Sequence, residues 1–188
     1  MKVIAILGMT ATGKASVARL LTKDGCRHRV VPYTTRPKRD YEVKDVDYHF
    51  ICDTDFETIY RQGCWLESSQ YFINGKVYSY ATNLESFVNG KTNVVVTNPY
   101  GLKMIKSRLS DDDEIVVVYL EKTLDERILN YMCHEDDDNI ESYQRLIERL
   151  KRDEKDYKYF IDDYDPKYVV NNQKTLDLCI KELESKGW

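Results

Sequence analysis

Nine consecutive residues near the amino terminus, Gly8-Met9-Thr10-Ala11-Thr12-Gly13-Lys14-Ala15-Ser16, combine the residue types and the setting that hold a phosphate group. An apolar run over residues 3–7 precedes them, and a stretch of helical periodicity starts at Lys14. Glycines at both ends let the backbone turn successive amide N–H groups inward. The helix start adds the positive end of its dipole, and an ammonium at position 14 reaches the β- and γ-phosphates of a nucleotide. The hydroxyl that meets Mg²⁺ in such loops ordinarily follows the lysine directly; here Ala15 stands in that place and Ser16 comes one residue later. The competing reading is a strand-to-helix turn with a solvent-facing lysine. It explains the glycines but not the coincidence of strand, loop and helix.

A second cluster of cations is Thr34-Thr35-Arg36-Pro37-Lys38-Arg39, followed by Asp47-Tyr48-His49-Phe50. Two arginines three positions apart, with a proline stiffening the segment between them, form a bidentate clamp for a phosphate dianion, which a tyrosine hydroxyl can complete. Taken alone, such a segment is most often solvated surface. Two anion sites in one chain imply two anionic substrates, and aligning them with cations over the moving group is the physical requirement of phosphoryl transfer.

The elements that must position these residues alternate between strands and helices. Strands are expected over residues 3–7, 93–97, 115–120 and 168–170. Val94-Val95-Val96 and Val116-Val117-Val118 are apolar on both faces, as in parallel strands covered on both sides. Helical patterns run over 14–22, 124–131, 139–160 and 175–184, the last with Thr175 as its expected N-cap. Alternation of this kind predicts an α/β, three-layer domain around a central parallel sheet. Residues 30–82 differ: they are rich in Tyr and Thr and carry the turn signal Asn74-Gly75-Lys76, which predicts a small, partly antiparallel β insertion at one sheet edge. The acidic runs over 111–114 and 135–138 read as solvated loops.

Composition narrows the remaining classes. A chain of 188 residues with 42% hydrophobic and 32% charged residues is an ordinary globular domain, and one domain over 1–188 is the expected count. A formal charge of −4 provides no global field for nucleic acid or an anionic membrane, so any phosphate must be met by a local cluster. The five cysteines lack a Cys-x-x-Cys pair and predict neither a disulfide framework nor a structural zinc. Cys52 and Cys64 read as small core hydrophobes, the histidines 28, 49 and 134 as surface or packing residues, and the 15 tyrosines as packing rather than base-stacking groups. The amino-terminal apolar run is too short for a signal peptide, and no stretch approaches the roughly 20 apolar residues of a membrane helix, so the expected location is the cytoplasm. Nothing in the sequence signals an oligomeric state.

Over residues 8–172 the order of motifs resembles the guanylate kinases. That family has a phosphate loop, Thr-Thr-Arg-x-x-Arg, Asp-Tyr-x-Phe, a Glu in an apolar setting, Tyr-Gly-Thr/Ser, a Val/Ile-rich strand, an Arg-bearing helix and a late Val-Asn. This chain offers, in the same order, the loop, Thr34–Arg39, Asp47–Phe50, Trp65-Leu66-Glu67, Tyr80-Ala81-Thr82, Val94–Val96, Arg145 with Arg149, and Val170-Asn171. The resemblance implies a P-loop NTPase fold with a core (1–29 and 83–188), an acceptor-binding insertion (30–82) and a helical lid at about 131–149. It implies ATP held by Gly8, Thr10, Thr12, Gly13, Lys14, Ala15, Ser16 and Asn171, with Mg²⁺ on Ser16. It implies an acceptor monophosphate held by Arg36, Arg39, Tyr48 and Tyr80, its base read by Glu67, Thr82 and Asn98, and transfer assisted by Lys14, Arg145 and Arg149.

This chain also departs from the pattern. Val96-Thr97-Asn98 replaces an aspartate-bearing run, His134 stands where the family lid has an arginine, a serine expected near Pro32 is missing, and Ala81 replaces a glycine. Tyr78 competes with Tyr80 for the motif tyrosine. The implied activity is phosphoryl transfer from ATP to GMP or dGMP, with small nucleotides as the only partners. The alternatives are a different acceptor base and a binding module of the same fold that has lost turnover.

Overall fold

The structure is a computed structural model that describes residues 1–73, 75–133 and 140–188. Its main sheet is parallel. β1 (Lys2–Gly8) is central, flanked by β7 (Thr92–Val96) and β8 (Glu114–Leu120); β9 (Tyr168–Val170) and β2 (His28–Arg29) form the edges, giving the order β2-β7-β1-β8-β9. Successive side chains of a strand point to opposite faces, and β1 is apolar on both. Val3, Ala5 and Leu7 meet Leu102 and Ile105 of α3 (Pro99–Lys106), Tyr157 of α5 (Ile140–Tyr157) and Phe160 of α6 (Phe160–Tyr164). Ile4 and Ile6 meet Val17, Ala18 and Leu21 of α1 (Lys14–Leu21) and Cys179 and Leu183 of α7 (Gln173–Ser185). Two cores on two faces make the expected three layers.

The insertion leaves the main sheet after β2 and builds a second, mixed sheet in the order β4-β3-β6-β5. Here β3 is Tyr33–Thr34, β4 is His49–Phe50, β5 is Trp65–Ile73 and β6 is Lys76–Asn83. β3 and β4 run parallel, while β6 is antiparallel to both β3 and β5. Ile73 pairs with Lys76 across the expected turn, where Gly75 has φ of +75°; Asn74 lies outside the described residues.

Several expectations are corrected. The insertion also contains α2 (Asp53–Arg61), which buries only Phe56 and therefore shows no apolar stripe in the sequence. Its N-cap is Cys52, whose sulfur accepts from the Asp55 amide at 3.4 Å, so Cys52 is an exposed cap and not a core residue; Cys64 is only half-buried. α3 also went unforeseen, because its first residues, Pro99 and Gly101, resemble a loop. α7 starts earlier than expected: Asn172 is the N-cap, and Thr175 is its reciprocal partner in a capping box. The long helical pattern over 139–160 divides into α5 and α6. Asp113, in the first acidic run, receives the Met1 ammonium and the Ser110 hydroxyl, and these hydrogen bonds lower its pKa to about 2. His134 and residues 135–138 lie outside the described residues.

Candidate active site

The turn between β1 and α1 is built as an anion cradle. Gly8 has φ of +150°, and a Cβ there would come within 2.6 Å of the Leu120 carbonyl and 2.7 Å of Thr12 Oγ1, so no other residue fits. Gly13 is left-handed at φ +91° and caps α1 without a side-chain bond, and the first turn of α1 carries no acid. By contrast, α2, α3, α7 and α4 (Leu124–Met132) all have side-chain caps. The amides at Lys14, Ala15 and Ser16 are thus left for an outside acceptor beside a positive dipole end. Lys14 Nζ donates to the carbonyls of Gly8 (2.8 Å) and Met9 (2.7 Å), and burial lowers its pKa to about 8. Thr12 is buried and closes the loop by donating to Met9 O at 2.9 Å. Ala11 is left-handed at φ +62°, which costs a non-glycine residue about 1–2 kcal/mol.

Thr10 binds protein with both backbone groups: its N–H donates to Asp153 Oδ2 (2.7 Å) and its carbonyl accepts from Arg127 Nε (2.9 Å). Its hydroxyl is what remains to offer a ligand. Arg127 and Asp153 are buried and ion-paired. Asn130 Nδ2 donates to Ala11 O at 3.0 Å, and the Tyr157 hydroxyl donates to Gly8 O at 2.9 Å. Sequence reading found none of these four residues, although Arg145, Arg149, Asp153 and Tyr157 fall at intervals of four along α5 and so share one helix face.

The acceptor cluster is made of side chains. Arg36 is buried and its fork is already filled: Nη1 and Nη2 bind both oxygens of Glu42, Nη1 also donates to Pro37 O, and Nε donates to the Tyr80 hydroxyl at 3.1 Å. The Arg36 fork of the expected clamp is thus engaged by Glu42 within the protein. Of the five N–H groups of Arg36, one on Nη2 lacks an intramolecular acceptor among the described residues. Although burial opposes it, the Glu42 carboxylate holds Arg36 above its ordinary pKa. Tyr80, not Tyr78, is the motif tyrosine that meets Arg36, and because its oxygen accepts from Nε its proton is available to a ligand. Tyr48 packs edge-on against Tyr80 and under Arg36, 5.0 Å from its guanidinium. Arg39 donates to the Tyr41 hydroxyl at 2.7 Å. The buried Asp47 anchors this loop to the main domain through Arg19 of α1 and Arg29 of β2.

The base-reading candidates also converge. Thr82 Oγ1 donates to Glu67 Oε1 at 2.8 Å across β5 and β6, and burial pushes the Glu67 carboxyl above its ordinary pKa. The first turn of α3 lies against them: a Cβ on Gly101 would collide with Thr97 Oγ1 and sit 3.4 Å from Glu67 Cγ. Asn98 is the N-cap of α3, its Oδ1 accepting from the Gly101 amide at 2.8 Å. One lone pair of its side-chain oxygen is thereby used in the cap.

α5 touches both clusters, through Asp153 and Tyr157 at the loop and through Arg152, which donates to Gln70 O at 3.4 Å and lies 4.1 Å from the Tyr71 ring. Arg149 lies on the same helix, 5.8 Å from the Tyr131 ring. Arg145 is half-buried one turn earlier on α5. Asn171 follows β9 and hence shares with the loop the carboxyl edge of the sheet, where open α/β sheets bind their ligands. Its Oδ1 accepts from Asn172 Nδ2 at 2.9 Å. Ser16 is exposed in the first turn of α1.

A phosphate loop after the first strand, a second small sheet with its own arginine cluster, and an arginine-bearing helix that touches both constitute the architecture of a P-loop nucleoside monophosphate kinase. The family model described as guanylate kinase matches residues 1–186, and the chain belongs to the guanylate kinase family. It is 28% identical over 177 residues to the guanylate kinase of a Nostoc species, covering 87% of this chain and 84% of that one. With the guanylate kinase of Mycoplasma pneumoniae it shares 25% identity over 190 residues, 98% of this chain and 74% of the relative. In fold it matches the crystal structure of guanylate kinase from Anaplasma phagocytophilum with a TM-score of 0.62 at 20% identity, over 98% of this chain and 86% of that one. No helix among the described residues is long and apolar enough to cross a membrane.

Proposed function

We infer that this protein transfers the γ-phosphoryl group of ATP to GMP or dGMP, giving ADP and GDP or dGDP. The observation that carries the reading is the reach of α5: Asp153 and Tyr157 bind the donor loop at Thr10 and Gly8, while Arg152 donates to Gln70 O and lies 4.1 Å from the Tyr71 ring on the insertion. Arg145 and Arg149 stand on that same helix, and stabilising charge on the moving oxygens is the main task of such an enzyme. Lys14 and the loop amides hold the donor, Arg36, Arg39, Tyr48 and Tyr80 hold the acceptor phosphate, and Asn171 borders the donor base. In this reading residues 30–82 and about 131–149 are the acceptor and lid parts of one domain, which works in the cytoplasm on small nucleotides.

Guanine is chosen by Glu67. A carboxylate accepts from guanine N1–H and N2–H₂, whereas adenine presents a lone pair at N1 and no amine at C2, so the same group repels it. Glu67 bears this acceptor role, positioned by Thr82.

The donor set fits a magnesium ion that arrives on the nucleotide. The described residues contain no cluster of three or more acidic, His or Cys side chains, and Mg²⁺ characteristically keeps its waters and takes one or two protein oxygens plus phosphates. Ser16 is the residue that would contribute, and the ion would neutralise charge on the donor phosphates.

A coupled assay of ADP release with ATP, Mg²⁺ and a panel of monophosphates tests the function. GMP and dGMP should lead. Preference for AMP, CMP or UMP would overturn the base assignment, and tight GMP binding without turnover would make the protein a binding module.

A further inference from the structure

We propose that Arg127, Asn130 and Asp153 are positioning residues of the donor site, holding the Thr10 and Ala11 peptides so that the loop is set for phosphate before a nucleotide arrives. The proposal rests on the reading of residues 8–16 as the donor loop and goes beyond it, because none of the three is part of the loop. An anion cradle must point its amides inward, and its carbonyls must therefore find donors elsewhere.

Every carbonyl from Gly8 to Ala11 has such a donor. Gly8 O takes the Tyr157 hydroxyl and Met9 O takes Thr12 Oγ1, both in addition to Lys14 Nζ. Thr10 O takes Arg127 Nε and Ala11 O takes Asn130 Nδ2. Lys14 can therefore leave for the phosphates without stripping Gly8 or Met9 of a partner, and the other four donors stay in place. Asp153 closes the arrangement by accepting the Thr10 amide while pairing with Arg127, so the two peptide groups that flank the Thr10 Cα are held by one ion pair.

Two features argue that this grip serves the loop rather than general stability. Ala11 is left-handed, a conformation a non-glycine residue keeps only where its surroundings impose it, and those surroundings are Arg127 and Asn130. A buried ion pair, moreover, is commonly no more stable than an apolar pair of similar size, so stability alone does not call for Arg127 and Asp153.

The test is titration calorimetry of a non-hydrolysable ATP analogue and of GMP, with melting temperatures, on Lys14→Ala, Asn130→Ala, the double variant Arg127→Met with Asp153→Leu, and Asn130→Ala in an Ala11→Gly background. Asn130 is half-buried, so its alanine variant keeps a folded protein available if the double variant does not fold. Loss of one neutral hydrogen bond should weaken the analogue about three- to tenfold in Asn130→Ala, and the double variant should lose more than about tenfold. GMP affinity should be unchanged in both. Ala11→Gly, which removes the need for imposed backbone geometry, should restore most of the loss in Asn130→Ala. Wild-type analogue affinity in both variants, or an equal loss of GMP affinity, would overturn the positioning role while Lys14→Ala still loses the analogue. Unchanged analogue binding in Lys14→Ala would overturn the donor-loop reading itself, and the proposal with it.

Discussion

The two proposed phosphate sites of this molecule are built from different material. The donor site is main chain: glycine geometry, uncapped amides at the start of α1, and a lysine that waits on two carbonyls. The acceptor site is side chain: Arg36, Tyr48 and Tyr80 come from three segments of the insertion, and Glu42 has neutralised the central arginine before any ligand arrives. A main-chain site draws its shape from one local turn and is hard to spoil by any single side chain except the one that carries charge. A side-chain site depends on every partner, and its loss should appear in stability as well as in binding.

The largest expected effect breaks the donor side. Lys14→Ala should weaken binding of the ATP analogue and lower kcat by on the order of 10²–10³, because its ammonium holds the donor phosphates and acts more strongly as charge develops on the transferring group, while GMP affinity by calorimetry stays near wild type. Unchanged turnover would remove the loop from the mechanism. On the acceptor side, Arg39→Ala should raise the KM for GMP roughly ten- to a hundredfold, as expected for loss of one charge-assisted contact. Arg36→Ala should show the same KM effect and also lose about 3–5 kcal/mol of stability, since it leaves Glu42 buried without its counter-ion. Equal melting temperatures for Lys14→Ala and Arg36→Ala would erase the contrast between the sites.

Glu67→Gln sharpens the comparison further, since it leaves both phosphate sites intact. It should reduce kcat/KM for GMP about tenfold or more and narrow the gap to AMP, and a steady-state comparison of the two substrates would read this directly. The smallest effect is a titration. The free enzyme loses the Lys14 ammonium as pH rises through about 8, so kcat/KM for ATP should fall above that pH while affinity for GMP does not. The stability sign is opposite. Between about 8 and the ordinary lysine value of 10.5 the unfolded chain holds a proton that the folded one has released, so folding stability should rise with pH across that window.

The same contrast explains what was legible. The loop, the parallel strands and the order of motifs could be read because each is local: a glycine position, a run of valines, a spacing of three or four. The insertion was legible as an unusual segment, but α2 was not, because a helix that buries one phenylalanine has no periodicity to detect. Arg36 was readable as a cation and its occupied state was not, since Glu42 looks like any other loop carboxylate until the turn brings it round.

By itself, then, the sequence determined the fold class, the donor loop and the identities of the charged residues available to two phosphate sites, because backbone geometry and burial pattern are written within a few residues of each other. Only the tertiary structure decided who holds whom. Arg127 meets Thr10 across 117 positions and Asp153 meets it across 143, while Arg36 meets Tyr80 across 44. It was likewise the packing of α3 against β5 that brought the Asn98–Gly101 turn beside Glu67. Such partnerships are set by how helices and sheets dock, and docking satisfies buried donors and acceptors with whatever groups it brings within reach, irrespective of their distance along the chain.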